Sequence, residues 1–599
     1  MRPSSSSHDA IHSSSVEASG SGDAVKFRRS SKAGAETYTE SISLNGYGEE
    51  SAESVDSISL AKDGTHRRLK SRHIQLIGIG GTIGTALYVS IGNGLLNGGP
   101  GSLFMAFSIC DLLIEESREY PIENKFNTDY RCSFILAVTI STAEMVTYLP
   151  ISSPFIRFAS RYMDEAIGFA AGWNFFVFEA ILVPFEVTAC NVVIHYWSDV
   201  VPAGGIIAIV IVLYALINVL TVEWYGETEF WAALGKVLLI VGLIIFTFIV
   251  MLGGNPLGDR FGFRYWNDPG AFAPLYYGGN LGYFLGFLQC LIQASFTIAG
   301  PDYVSMAAGE AENPRVVMPK AFKAVFYRLT AFFCLGSLCV GILVPYNDKE
   351  LIAATTAGLP GAAASPYVVA MNRLRIRVLP DIVNAMVLAS AFSAGNSYVY
   401  CASRSLYGLA LEGKAPKILT RTTRRGVPIY CTIVVLCIAL LAFLQVEANA
   451  ATVLKWFINL VTASQLINYA VMCMTFIFWK RACDAQGFDR NTLPFKGWGQ
   501  PYLAWYGFIG CTVMALVGGY TVFLPGQWSV PTFIFSYFMI GLFPILFIGW
   551  KLIKKTKWTP AVDVDLRGEV EEIEEYQATF VPSSSNDTYF EKVLGKIFG

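Results

Sequence analysis

Four ionisable side chains stand inside apolar runs of this sequence: Glu144, Glu179, Glu186 and Lys236. Charge is costly in such surroundings and is kept there for function or for pairing. Lys236 lies in Ala232-Ala233-Leu234-Gly235-Lys236-Val237-Leu238, about two turns from Glu229 at the start of its run, so snorkelling to an interface is awkward. A buried ammonium that gives up and regains a proton would be a coupling site. Glu179 and Glu186 are seven residues apart and share one helical face, where they would serve as partners for a neighbouring helix or as a proton relay. Glu144, near the inner end of its run, suits a gate or a packing contact.

The second kind of chemistry lies in the backbone. Ile74–Leu95 is long enough to cross a bilayer, yet its centre reads Gly78-Ile79-Gly80-Gly81-Thr82-Ile83-Gly84-Thr85. Glycine weakens helix, and a membrane span must normally satisfy its own N–H and C=O groups. A span weakened at its centre implies that a ligand meets the freed groups. A second weak point ends the run 281–302 with Phe296-Thr297-Ile298-Ala299-Gly300-Pro301-Asp302, where proline removes a donor and glycine loosens the chain. Interrupted spans one and six occupy corresponding places in two five-helix halves, as in inverted-repeat transporters with a site at the midplane. Half-helix N-termini would face an anion and unwound carbonyls a cation. A ligand with a carboxylate and an ammonium on one carbon fits both, which points to an amino acid or a close relative.

The elements that must position these groups are membrane helices. Of the 599 residues, 53% are hydrophobic and only 15% charged, against about 25% charged in soluble domains. Spans are expected near 74–95, 132–150, 166–196, 205–222, 229–252, 281–302, 325–345, 380–411, 429–446, 452–479, 502–524 and 530–553. The fold class is therefore an all-α membrane protein of about twelve transmembrane helices: a five-plus-five inverted repeat with discontinuous helices 1 and 6, plus two C-terminal helices. His66, Arg67, Arg68, Lys70 and Arg72 precede the first span, and basic residues recur in alternate connections, which puts both termini in the cytoplasm. Residues 1–70 read as a disordered cytoplasmic tail, 71–553 as the transmembrane domain, and 554–599 as a second cytoplasmic tail. Lys26, Lys32, Lys62 and Lys70 are available to ubiquitination and trafficking machinery.

Nothing points to an enzyme. There is no phosphate-binding Gly-Lys loop, zinc-protease histidine pair or nucleophile elbow, and histidines number five. The twelve cysteines show no metal spacing and read as small hydrophobes in membrane spans. No basic stripe suggests nucleic acid, and no metal or other cofactor is expected.

The chain resembles the fungal amino-acid permeases, the yeast amino acid transporter family of the amino acid–polyamine–organocation superfamily, from about Leu69 to Pro582. The matching stretches, in order, are Gly80–Thr85, Gly168–Asn174, Tyr225–Trp231, Ala307–Arg315, Val344–Asp348 and Ser393–Ser397. The resemblance implies proton-coupled uptake of amino acids at the plasma membrane, driven by the proton gradient. It implies that the backbone around Thr82, Ile83, Gly84, Thr85 and Ala86 holds the substrate carboxylate. Phe296, Thr297, Ile298, Ala299 and Gly300 would take the α-amino group and shape the side-chain pocket, with Phe296 as a gate. Ala86 departs from the family, which usually has another glycine there. A lysine at Lys236 resembles a replacement for the sodium ion that other members bind between spans one and eight; Glu179 and Glu186 complete the expected proton-coupling set. Asn396 is expected to act as structural glue, and Glu310, Glu312 and Arg315 to form either a cytoplasmic gate or a solvated loop.

One segment does not fit. In the family the run Ser102–Ile109 continues almost directly into Ser133–Leu149 as one second helix, but here residues 110–131 intervene with many charges and Pro121. No lipid-exposed helix holds such a stretch. It is either an extracellular loop or translated intron sequence. The competing functional class is a permease-like amino-acid sensor that binds without net transport; the tails are of ordinary transporter length, which favours transport.

Overall fold

The computed structural model describes residues 67, 69, 71–111, 134–198, 200–220, 222–298, 300–357, 365–423, 426–446 and 450–580. Most of the expected N-terminal tail, residues 581–599 of the expected C-terminal tail, most of the polar segment 110–131, and Ala299 lie outside the described residues.

The first span is broken where the glycines crowd. Helix α1 (Ser71–Gly80) ends at the glycine pair, residues 81–84 are non-helical, and a π-helical turn over Ala86–Ser90 leads into α2 (Ile91–Asp111). α2 is itself two helices in one. Gly99 adopts φ 81°, ψ 171°, outside helical space, and Pro100 opens the next stretch. The corner is pinned by main-chain bonds: Gly101 N–H donates to the Ala271 carbonyl at 2.7 Å, and Ala273 N–H donates to Gly98 at 2.9 Å. The second span thus starts at Pro100, earlier than the expected 132–150, and resumes in α3 (Phe134–Tyr148). At 15 residues α3 rises only about 22 Å, short of a bilayer core of about 30 Å.

The remaining long helices fall on expected spans, with short helices between and after them. α4 (Pro154–Tyr162) is a short amphipathic helix before α5 (Glu165–Ile194). α5 is capped by Asp164, whose carboxylate accepts from Ala166 N–H at 2.8 Å. Then come α6 (Ala203–Leu220), α7 (Val222–Met251) and α8 (Gly279–Thr297). α8 stops at Ile298 in extended backbone; Gly300 takes φ 149°, and Pro301 opens α9 (Pro301–Met306). Beyond it lie α10 (Pro314–Leu343), α11 (Lys349–Ala357), α12 (Pro366–Arg373) and α13 (Leu379–Leu411). α14 (Ile429–Ala439), α15 (Ala450–Ala485), α16 (Tyr502–Val517), α17 (Val530–Lys554) and α18 (Val570–Thr579) complete the chain.

Among the described residues, eight helical stretches are long and apolar enough to span a membrane, two of them joined (Gly279–Glu310 and Ile429–Val446); α3, α6 and α16 are shorter apolar helices. With the interrupted first span they give the twelve-helix arrangement, in which spans one and six are discontinuous. Burial sorts the layers. The apolar stretch of α15 is 89% buried and lies in the interior, whereas that of α17 is only 11% buried and presents its apolar side chains outward, as a lipid-facing helix must. α5 and α13 form the most extensively packed pair, while α1 packs mainly on α7 and α10, and α9 on α3 and α1.

Candidate functional site

The two interruptions meet the same cavity. Gly81, Thr82, Gly84 and Ala86 line it from the first, and Phe296 and Thr297 from the second. Side walls come from Phe178, Leu182, Phe185 and Glu186 of α5 and from Val461 and Gln465 of α15. Phe296 is buried and lies edge-on to Phe185, with centroids 5.8 Å apart and planes at 82°. Ile298 and Gly300 face a neighbouring apolar space instead, together with Ile135, Val304 and Phe322. Ile83 and Thr85 are buried outside the cavity lining, and Ala299 lies outside the described residues.

The helix breaks are braced by protein donors. Tyr398 hydroxyl donates to the Gly81 carbonyl at 3.0 Å, and Ser390 hydroxyl to the Ile83 carbonyl at 3.2 Å, both from α13. Gln465 Nε2 donates to the Ile298 carbonyl at 3.2 Å and to Tyr469 hydroxyl at 3.0 Å. Thr82 hydroxyl closes back onto Gly78 at 3.1 Å. The expectation that a ligand must meet the groups freed by the breaks is corrected in part: three of those carbonyls already have side-chain partners. Asp302 accepts from Gly300 N–H at 3.1 Å, so its carboxylate braces the second break.

Beside the first break lies a buried charge cluster. Lys236 Nζ is 3.9 Å from Glu229 Oε1, both side chains 1% exposed, and Ser393 hydroxyl donates to Glu229 Oε2 at 2.8 Å. Lys236 does not snorkel; its backbone carbonyl is held by Tyr88 hydroxyl at 3.0 Å. Glu186 accepts from Thr85 hydroxyl at 3.2 and 3.4 Å. A Cβ on Gly84 would sit 2.6 Å from Glu186 Oε1, so only glycine lets the carboxylate approach the break this closely. Sequence reasoning placed Glu229 merely at the start of its span. The signal was available: Glu229 and Lys236 are seven apart, on one face of α7.

Glu179 differs. It is fully buried, and among the described residues neither carboxylate oxygen has a hydrogen-bond partner. Asp302 and Tyr303 of α9 are its electrostatic neighbours. Asn396 accepts from Asn218 Nδ2 at 2.7 Å, which ties α13 to α6 and fits a structural role. Glu144 takes a forked hydrogen bond from Arg490, 2.7 and 2.8 Å, and a third from Gly497 N–H at 2.9 Å. Its partner, 346 residues away, was invisible to local reading. In the 307–315 loop, Glu310 accepts from Tyr400 hydroxyl at 2.7 Å, and Arg315 pairs with Glu574 of the C-terminal segment at 3.3 Å.

A bundle of apolar helices with two broken spans lining one cavity is the architecture of a multispanning membrane transporter. The chain belongs to the amino acid permease family, whose model matches residues 131–560, beginning where the polar segment ends. It is 48% identical to the general amino acid permease AGP2 of Saccharomyces cerevisiae, over 86% of this chain and 84% of the relative. It is 41% identical to the proline-specific permease of Emericella nidulans, over 84% and 88%. To the dicarboxylic amino acid permease of S. cerevisiae it is 37% identical, over 88% and 86%.

Proposed function

We propose that this permease carries amino acids into the cell with protons, by alternating access, from a plasma-membrane location with both tails cytoplasmic. The observation that carries the reading is the convergence of both helix breaks and Glu186 on one cavity, beside the Lys236–Glu229 pair. On this reading the α-carboxylate meets backbone N–H groups at Thr82, Gly84 and Ala86, and the α-ammonium meets carbonyls at Phe296 and Thr297, the residues of the two breaks that line the cavity. Phe296 covers the bound substrate against Phe185. Relatives of similar sequence are named for general, proline and dicarboxylic amino acid transport, so the shared determinant is the α-amino acid core. The walls formed by Phe178, Leu182, Phe185 and Val461 suit a neutral, apolar side chain.

Lys236, Glu186 and Glu179 are the proposed coupling groups, with Glu229 added from the structure. Lys236 stands where it can face Glu229 and Glu186 in turn, and Glu186 reaches the substrate-binding backbone through Thr85. A proton gained or lost in this cluster thereby changes the hydrogen bonding of the first break. Energy comes from the proton gradient and no cofactor takes part. Residues 71–553 form the transport domain, and the tails 1–70 and 554–599 are the segments open to ubiquitination machinery.

The test is radiolabelled amino-acid uptake at two pH values in cells lacking their own permeases. The full chain would be compared with a variant in which Cys110–Arg131 is replaced by a single Trp. Uptake that rises at acid pH in either protein is the expected result. If only the replaced variant transports, residues 110–131 are translated intron sequence. Binding without uptake by surface-expressed protein would overturn transport and leave the sensor.

A further inference from the structure

The cytoplasmic face carries a segment that no membrane crossing requires. After α17 the chain runs from Lys555 to Phe580, burying Val564, Leu566, Val570 and Ile573 in the hydrophobic core. Its backbone is fixed at several points. Thr559 N–H donates to the Met163 carbonyl at 2.8 Å, Tyr148 hydroxyl donates to Leu566 at 3.0 Å, and Gln486 Nε2 donates to Val564 at 2.7 Å.

Its acids and aromatics reach two different sets of helices. At one end Asp565 meets Arg161 at 2.5 Å, and Glu569 meets Arg157 at 2.8 Å and Arg161 at 3.6 Å; both arginines belong to α4, which packs on α5 and α15. At the other end Glu574 meets Arg315 at 3.3 Å, and Gln577 Nε2 donates to Asn313 Oδ1 at 3.3 Å, at the start of α10. α10 packs on α1, α2 and α3. The Arg67 guanidinium, just before α1, lies 4.9 Å from the centre of the Tyr576 ring. One acidic segment therefore ties the wall helices to the helices that carry the first break.

We propose that residues 555–580 are a cytoplasmic clasp, which holds the inner gate shut through the Asp565, Glu569 and Glu574 ion pairs and must let go for cargo to leave inward. The clasp rests on the alternating-access part of the proposed function. Because its pairs are partly exposed, it weakens with ionic strength: the screening length falls from about 8 Å at physiological salt to about 3 Å at 1 M.

Cys401, buried on α13 next to Tyr400, whose hydroxyl donates to Glu310 of the 307–310 turn, serves as the probe for opening on that side. In inside-out vesicles carrying the full chain, its maleimide labelling would be read by mass spectrometry. Asp565→Arg with Glu569→Arg is expected to raise labelling roughly five- to tenfold, the lower range of coupling between two sites. Glu574→Arg, made separately at an exposed side chain, is expected to do the same, and adding Arg315→Glu to it should restore slow labelling. Unchanged labelling in both variants overturns the clasp, as does a rise that the charge exchange fails to reverse. If alternating access itself is wrong, substrate too will leave Cys401 labelling unaltered; if only the clasp is wrong, substrate still changes it.

Discussion

Glu186 and Glu179 sit two turns apart on the same face of α5, both fully buried, and their surroundings could hardly be less alike. Glu186 has a hydroxyl donor in Thr85, a glycine that lets it reach the first helix break, and Lys236 as an electrostatic neighbour. Glu179 has no hydrogen-bond partner among the described residues and faces a second acid, Asp302. Helical periodicity equates the two residues. What separates them is supplied by other helices, so their roles are set by α1 and α7 in one case and by α9 in the other.

The largest effect is expected at the centre of the first environment. Lys236→Met leaves Glu229 and Glu186 buried without their counter-charge, and breaking a buried pair costs about 3–5 kcal/mol. Uptake should vanish at every pH and the amount of protein at the cell surface should fall. Adding Glu229→Gln should recover the protein but not the uptake; recovery of both would remove Lys236 from coupling.

Next in size is the contrast between the two acids themselves. Glu186→Gln keeps shape and can still accept from Thr85, so amino-acid exchange should survive while stimulation of uptake between neutrality and about pH 5 disappears. Glu179→Gln, which lies away from the Lys236–Glu229 pair and beside Asp302, should lower acid stimulation only in part. The reverse result in the same uptake assay would exchange the two roles. A smaller change is expected for Gly84→Ala, whose new Cβ lies 2.6 Å from the Glu186 carboxylate. The clash is with the movable end of a side chain, so the low end of the overpacking range, about 1 kcal/mol, is expected. That is a KM raised roughly fivefold, and Glu186→Ala in the same chain should relieve part of it.

The smallest effect is a predicted null at the tail. Burial works against the Asp565 carboxylate, but the hydrogen bond and charge of Arg161 outweigh it and hold its pKa below the ordinary 3.8. A carboxylate held low contributes its pairing fully above the ordinary value and loses it only as pH falls through the lower one. Cytoplasmic pH between about 5 and 8 should therefore leave Cys401 labelling unchanged while salt raises it. A pH-sensitive signal in that range would point to a group other than Asp565.

Both helix breaks were legible in the sequence because glycine and proline act locally at Gly80-Gly81 and Gly300-Pro301, although Pro184, Pro319 and Pro544 sit inside continuous helices. The corner at Gly98-Gly99-Pro100 carried the same signal and marks the start of the second span. Lys236, Glu179 and Glu186 stood out as charges in apolar runs. The packing partners of the buried acids were harder to see: Ser393, which meets Glu229, and Arg490, which meets Glu144, are unremarkable residues, and Thr85, which meets Glu186, drew notice only for its backbone. Glu144 and Arg490 are 346 positions apart, and no periodicity connects them. Glu229 was concealed differently, by lying at the apparent edge of its span.

The hydroxyls of Tyr398 and Ser390 and the amide of Gln465 have one more implication. By bonding the carbonyls of Gly81, Ile83 and Ile298, they keep the unwound backbone solvated from within when no cargo is aboard. On the alternating-access reading proposed above, an unloaded carrier would then have little to lose by turning back across the membrane, and would accumulate cargo without swapping one amino acid for another on each cycle.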